Sequence, residues 1–380
     1  MIDKTYYEEE QTGVHVVIDY FKCSFGLECK YDDFELKVIE DTIEQIRTFL
    51  DYSKDEVVKE DFATDRFKFQ YSIGNYITLK LGGPVQTSGY KSCLLEFKGH
   101  ACREFEIRTK KSWKDLFKFC FLTLKGHATR IDIAVDDFDG DIASFNKVLS
   151  KLETKQFSSG FKNNNYVLHG NDEKGWTIDF GNYSSTQMLC IYQKDKEQRS
   201  RKIECKQSYW TRFEMRFFKE KAYDVATNLM DKEENELSIF GRELLYSMLD
   251  IKEDNNYGLE NQRHVETVSW WNEFLGNVEK AKLVRRTIRS AYYDSYHAWI
   301  GKLTAFYIIV LCSLRPYSLD QVLLKLMEES LNEVDELDKK HIKKLNQFRL
   351  ELGLNPISKE ELIELKNRLM SEITLKEVPF

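Results

Sequence analysis

The chain has only 4 prolines in 380 residues, while 42% of its residues are hydrophobic and 13% aromatic. That combination excludes a collagen-like or disordered polypeptide, because there is ample apolar material for a core. No CxxC pair occurs, since Cys23, Cys29, Cys93, Cys102, Cys120, Cys190, Cys205 and Cys312 all stand singly. A zinc cluster is therefore not expected, and the cysteines read as reduced, mostly buried thiols. The longest apolar run, 303–314, is too short to span a bilayer. Residues 1–10 are acidic and lack the apolar core of an export signal, so the expected location is cytoplasmic, with no membrane partner. No Gly-rich loop ending in Lys-Ser or Lys-Thr is present, which excludes a P-loop motor. Positive charge is also short: the formal net charge is −7 and the pI about 5.7. Spread evenly, that balance would argue against a nucleic-acid binder.

It is not spread evenly. Residues 98–130 carry a net +6 and residues 190–221 a net +5, whereas 320–377 carry −3. Both basic stretches bring aromatic residues (Phe105, Trp113 and Phe117; Tyr192, Trp210 and Phe213). Such segments can track a nucleic-acid backbone and stack bases, although solvated helix faces have the same composition.

Up to about residue 217 the chain reads as mixed strand and helix. Strand composition marks 14–25, 91–97, 104–109, 128–137, 176–180, 187–193 and 210–217. A hairpin is expected from 67–72 and 76–81, with Gly74-Asn75 at its tip. Helical spacing marks 113–124 and 142–152. From Lys219 onward the pattern becomes helical, over 219–230, 237–249, 290–312, 319–331, 334–352 and 359–375. A boundary is expected within 249–270.

Three segments carry chemistry. In Thr129-Arg130-Ile131-Asp132-Ile133-Ala134-Val135-Asp136-Asp137, period two turns the aliphatic residues one way. Arg130, Asp132, Ala134 and Asp136 turn the other way. Asp is disfavoured in strands, so repeated carboxylates on one face point to metal binding or catalysis. In Trp210-Thr-Arg212-Phe-Glu214-Met-Arg216-Phe217 the device recurs, with Arg212, Glu214 and Arg216 opposite Phe213, Met215 and Phe217. If the two strands share a sheet, Asp132 and Glu214 could converge on one divalent cation. Asp136 lies about 13 Å along the strand from Asp132 and is a second choice. Hard oxygen donors suit Mg²⁺ or Mn²⁺. The third segment runs from Gly181 through Ser184-Ser185 to Tyr192, which ends an apolar strand two residues before Lys194. A nearby ammonium favours a phenolate or binds a phosphate oxygen.

Together these segments resemble the replication initiation factor family, the rolling-circle plasmid initiators and related relaxases of integrative and conjugative elements. The likeness rests on Arg130 to Asp137, on Gly181 to Ser185 followed by Ile191-Tyr192-Gln193-Lys194-Asp195-Lys196-Glu197, and on Trp210 to Glu214. It implies an α+β fold. A nicking domain over 1–250, built on a relaxase-like antiparallel sheet that is duplicated or elaborated, would be followed by a helical region over 251–380. It implies a metal-dependent DNA nickase in which Tyr192 attacks a phosphodiester and becomes linked to the 5′ phosphate. Asp132 and Glu214, with Asp136 in reserve, would hold Mg²⁺ or Mn²⁺. Arg130 and Lys194 would assist the chemistry, and Arg212, Arg216, Lys110 and Lys111 would meet DNA. The implied partners are origin DNA, supercoiled or single-stranded, and a host or element-encoded helicase. The helical region is a candidate for DNA specificity, homodimer formation or helicase recruitment. The sequence departs from the larger relaxase group in having no His-hydrophobe-His metal site. Where family members often carry basic residues, it reads Asn182-Tyr183 and Cys190-Ile191. A non-catalytic origin-binding protein stays open as the alternative.

Overall fold

The computed structural model describes residues 10–27, 32–84, 90–203, 205–253 and 265–283, and a further set between 327 and 374. Contacts divide the chain into two units, one reaching Arg286 and the other formed mainly from the residues beyond it. The first unit therefore continues past residue 250.

Ten strands form one antiparallel sheet in the first unit. They are β1 (Val14–Leu27), β2 (Val57–Lys59), β3 (Phe69–Ile73), β4 (Ile77–Leu81), β5 (Lys91–Lys98), β6 (His127–Asp137), β8 (Tyr166–Asn171), β9 (Gly175–Gly181), β10 (Gln187–Gln193) and β11 (Thr211–Phe218). Their spatial order is β2-β3-β4-β5-β1-β6-β11-β10-β9-β8. Two further strands, β7 (Phe157–Ser159) and β12 (Leu249–Ile251), pair with each other. The 3–4 hairpin turns at Gly74, whose φ of +62° is easily reached only without a Cβ.

The long strands β1 and β6 occupy the centre of the sheet. Ile131, Ile133 and Val135 of β6, with Phe213, Met215 and Phe217 of β11, are buried on one face. Phe21 of β1 packs on Phe97, Trp113 and Phe117. Helices cover this apolar face, among them α6 (Lys219–Met230), α7 (Leu237–Met248) and α8 (Ser269–Leu275). Helix α7 approaches the sheet through Gly241, where an added Cβ would lie 2.4 Å from Val16 Cγ1. Helix α8 sets Trp271 and Phe274 at 5.7 and 5.0 Å from the Phe213 ring. These contacts explain why the first unit runs on beyond residue 250.

Other helices among the described residues include α1 (Asp32–Phe49), α2 (Gly99–Arg108), α3 (Trp113–Lys118), α4 (Phe145–Glu153), α5 (Lys194–Ser200) and, in the second unit, α9 (Lys359–Thr374). Helix α3 starts at a capping box in which Ser112 and Asp115 satisfy each other's backbone N–H groups. One expected strand is a helix: 104–109 falls in α2, where Ala101, Cys102 and Phe105 pack inward at spacings of one turn. The alternation Glu104-Phe105-Glu106-Ile107 imitated a strand, but Glu104 is buried and receives the backbone N–H of Asn75 at 3.1 Å. Cys23, Cys93, Cys102, Cys120 and Cys190 are buried free thiols and Cys205 is half-buried. The helix expected at 290–312 lies outside the described residues, as do most of those at 319–331 and 334–352. Among the described residues no helix is long and apolar enough to cross a membrane.

Candidate active site

The second face of the central strands is polar, and register decides which groups meet on it. Strand β6 lies between β1 and β11, and β11 between β6 and β10. Glu214 stands opposite Ala134 and Arg216 opposite Asp132, so Asp132 and Glu214 are diagonal neighbours on adjacent strands. On the other side of β11, Cys190 is opposite Glu214 and Tyr192 opposite Arg212. The sheet thus brings Tyr192, Glu214, Asp132 and Arg130 together.

The Tyr192 hydroxyl donates to Glu214 Oε2 at 2.7 Å. Burial, and then the Glu214 charge, push the phenol well above its ordinary range, so it enters any reaction protonated. Glu214 Oε1 accepts from Arg216 Nε at 2.7 Å. Lys194 lies over the Tyr192 ring at 5.4 Å, and its ammonium pairs with Glu197 at 2.7 Å. It therefore faces the ring rather than the hydroxyl.

Asp132 is 1% exposed and is held by Arg130, through Nε at 2.9 Å and Nη2 at 2.5 Å. Burial drives its carboxyl up to about 7; the Arg130 hydrogen bond works against that rise and the neighbouring Glu214 adds to it. Among the described residues no group of three His, Cys, Asp or Glu side chains is spaced to hold a metal ion. The pair Asp132 and Glu214 still fits Mg²⁺ or Mn²⁺ chemically. Magnesium is commonly held by one or two carboxylates, with water and substrate phosphate completing the shell. The Glu214 charge adds to the cost of ionising the buried Asp132, a cost that a cation relieves.

The structure separates two expected residues from this group. Arg212 was expected to meet DNA phosphate, but it is 1% exposed, and its guanidinium is committed to Asp136 at 2.7 and 2.8 Å and to Asp19 at 2.8 Å. Asp136, the second-choice metal ligand, is 0% exposed and also receives the Trp210 indole N–H at 2.8 Å. The reason is register, since Arg212 and Asp136 face each other across β6 and β11. Lys110 and Lys111 lie between α2 and α3, away from the sheet face, and Lys111 pairs with Asp51 at 2.6 Å.

Sequence reasoning missed three residues. Asp19 is the extra residue of a β-bulge: Ile18 pairs with Ile133 and Tyr20 with Asp132, leaving Asp19 unpaired and turned toward Arg212. Tyr20 and Glu96 form a second tyrosine–carboxylate pair on the far side of Asp132, with the Tyr20 hydroxyl donating to Glu96. Their alternation in β1 and β5 was visible, but a single Asp, Tyr or Glu in a strand carries no signal until its cross-strand neighbour is known.

Residues 126–325, just over half of the chain, match the replication initiation factor family. The chain belongs to that family. The match includes the three segments that carry Arg130 and Asp132, Tyr192, and Glu214 and Arg216. Among solved structures, the rolling circle replication initiator protein from Geobacillus stearothermophilus is similar in fold. The TM-score is 0.56 at 20% identity, over 72% of this chain and 100% of that one. No curated protein sequence gives a match. Membership gives this initiation factor a role in starting replication and makes origin DNA its partner.

Proposed function

We propose that this initiation factor is a rolling-circle initiator that nicks one strand of its origin and later rejoins it, with Tyr192 as nucleophile. The observation that carries the reading is the 2.7 Å hydrogen bond from the Tyr192 hydroxyl to Glu214. A phenol held protonated by burial needs a base at the moment of attack, and Glu214 is in contact with it. Tyr192 Oη forms a bond to the scissile phosphorus as its proton passes to Glu214. The P–O3′ bond breaks, and the departing 3′ oxygen takes a proton from water. The 5′ phosphate stays on Tyr192, and the reverse sequence rejoins the strand. Arg216 holds Glu214 by its other oxygen, which fixes the direction in which the base faces. Arg130, a quarter exposed, orients Asp132 and keeps guanidinium surface toward solvent for a phosphate oxygen. Bound Mg²⁺ or Mn²⁺ would polarise the phosphate, with Asp132 and Glu214 as its protein ligands. The unwinding helicase would be a separate protein, the DNA either supercoiled or single-stranded, and the location the cytoplasm.

The decisive experiment is incubation with Mn²⁺ and supercoiled DNA carrying the parent origin, with mapping of the nick and of the tyrosine attached to it. Footprinting without any nick would favour a non-catalytic origin-binding protein instead.

Two measurements test the surroundings of the nucleophile. Saturating Mn²⁺ should raise the thermal unfolding midpoint, since a ligand at about 100 times its Kd stabilises by about 2.7 kcal/mol. Asp132→Asn should lose most of that rise; an undiminished rise would place the ion elsewhere. Binding of single-stranded DNA should also depend only weakly on salt. Among the described residues, exposed or part-exposed cations on the polar face include Lys22, Lys98, Arg130 and Arg216. About four phosphate contacts give a log–log slope of about −3 for a single strand. A slope near about −10 would mean that a much larger basic surface is used.

A further inference from the structure

One end of the polar face carries a row of aromatic rings and guanidinium groups. Arg130 lies 4.0 Å from the Tyr20 ring and 5.5 Å from the Phe218 ring. Phe218 lies 5.9 Å from Tyr183, and the Arg216 guanidinium is 5.7 Å from the Tyr183 ring. The row crosses β1, β6 and β11 and ends in the turn between β9 and β10.

Tyr183 differs from the rest in exposure. It is 63% exposed, whereas most aromatic rings on the sheet are buried or half-buried. Yet it is not loosely held. Gly181, with φ +79°, starts the turn. The Asn182 side chain then accepts from the backbone N–H groups of Ser184 at 2.9 Å and Ser185 at 3.2 Å. Arg216 Nη1 donates to the Tyr183 hydroxyl. The same Arg216 binds Glu214, which binds Tyr192. A large exposed ring is thus tied through two side chains to the proposed nucleophile.

Exposure of a fixed aromatic ring beside cations has a recognisable use. Successive bases of a single strand stack on such rings, while arginine and lysine track the phosphates. Duplex DNA does not offer its base faces, so the arrangement selects an unpaired strand. We infer that Tyr183, backed by Phe218 and flanked by Arg130 and Arg216, is a nucleobase-stacking site for the single strand beside the scissile phosphate. The inference rests on the nicking reading only for the words "beside the scissile phosphate"; the stacking itself is testable without catalysis.

The test uses fluorescein-labelled oligothymidylate and the Tyr192→Phe protein, in which no nick can form at Tyr192. Stacking is worth about 1–3 kcal/mol per base, so Tyr183→Ala should weaken binding roughly 5- to 150-fold. Tyr183→Phe keeps the ring and should bind within about threefold of the parent. Ultraviolet cross-linking of an oligothymidylate carrying 5-iodouracil should place an adduct on Tyr183. Three results would overturn the site: no binding of oligothymidylate by the parent, since stacking is sequence-tolerant; undiminished binding by Tyr183→Ala; or cross-links that all map elsewhere. Failure of the nicking reading would appear separately, as supercoiled origin DNA that the unsubstituted protein leaves without a nick, or nicks without an adduct on Tyr192.

Discussion

Tyr192→Phe should reduce nicking of supercoiled origin DNA by at least about 10⁴-fold and remove the covalent adduct altogether. Affinity for the same DNA should change by no more than about twofold. The substitution deletes one oxygen and keeps the ring that lies under Lys194 at 5.4 Å. Its structural cost is an unfilled position on Glu214 Oε2, which previously accepted the phenol at 2.7 Å. Leaving such an acceptor unpaired costs about 1–3 kcal/mol, and less where water can enter, as it can at this half-buried tyrosine. The protein should therefore stay folded and bind DNA while losing chemistry. The measurement is denaturing gel electrophoresis of protein linked to labelled DNA, paired with an anisotropy titration. An adduct persisting in Tyr192→Phe would remove Tyr192 from the reaction. The Tyr20–Glu96 pair would then be the one to examine, since it has the same chemistry on the opposite side of Asp132. Loss of the adduct in Tyr20→Phe but not in Tyr192→Phe would reverse the two roles.

Much of this site is legible in the sequence, because alternation in a strand is a direct statement about faces. Arg130, Asp132 and Asp136 share one face of β6, and Arg212, Glu214 and Arg216 one face of β11, as period two requires. Whether Glu214 stands beside Asp132 or Asp136 depends on how β6 and β11 are offset. A shift of two residues would keep every face and change every partner. The actual offset puts Arg212 against Asp136 and closes that pair off from solvent. Three other features were hidden for different reasons. The bulge that frees Asp19 is a property of the pairing between β1 and β6, not of either sequence. Strand β8 has polar and glycine residues, Tyr166-Val167-Leu168-His169-Gly170-Asn171, and is held as an edge strand by β9. Helix α2 hid behind a false alternation because its buried Arg103 and Glu104 interrupt the apolar stripe that usually announces a helix. The charge balance shows the same limit, since a net charge of −7 does not reveal that one sheet face gathers guanidinium groups.

Arg212→Met should cost about 3–5 kcal/mol of stability at pH 7, although Arg212 takes no part in the proposed chemistry. Its guanidinium holds Asp136 through two hydrogen bonds and Asp19 through the third nitrogen, and it is itself 1% exposed. Methionine fills much of the volume but leaves two carboxylates without their principal counter-charge, and an unpaired buried charge is far costlier than a missing pair. Arg212→Lys should recover only part of the loss, because an ammonium cannot reproduce the two-pronged contact with Asp136. The dependence on pH identifies the cause. Burial alone would raise the Asp19 carboxyl, but the charges of Arg212, Lys194 and Arg103 outweigh it and bring it down to about 2 from 3.8. Asp19 therefore stabilises the fold fully above about pH 4, by about 2 kcal/mol, and this contribution is lost as the pH falls toward 2. In Arg212→Met the Asp19 carboxyl becomes easier to protonate, and acid relieves the variant before it harms the parent. The deficit of the variant, measured by urea unfolding, should be largest at pH 7 and clearly smaller at pH 4. Equal deficits at the two pH values would mean that lost packing, not unpaired charge, causes the instability. A variant as stable as the parent would mean that Arg212 does not pin the centre of the sheet at all. The contrast with Tyr192→Phe would separate the roles proposed for two residues opposite each other on neighbouring strands: Tyr192 for the proposed reaction, and Arg212 for the rigidity of the surface on which it would occur.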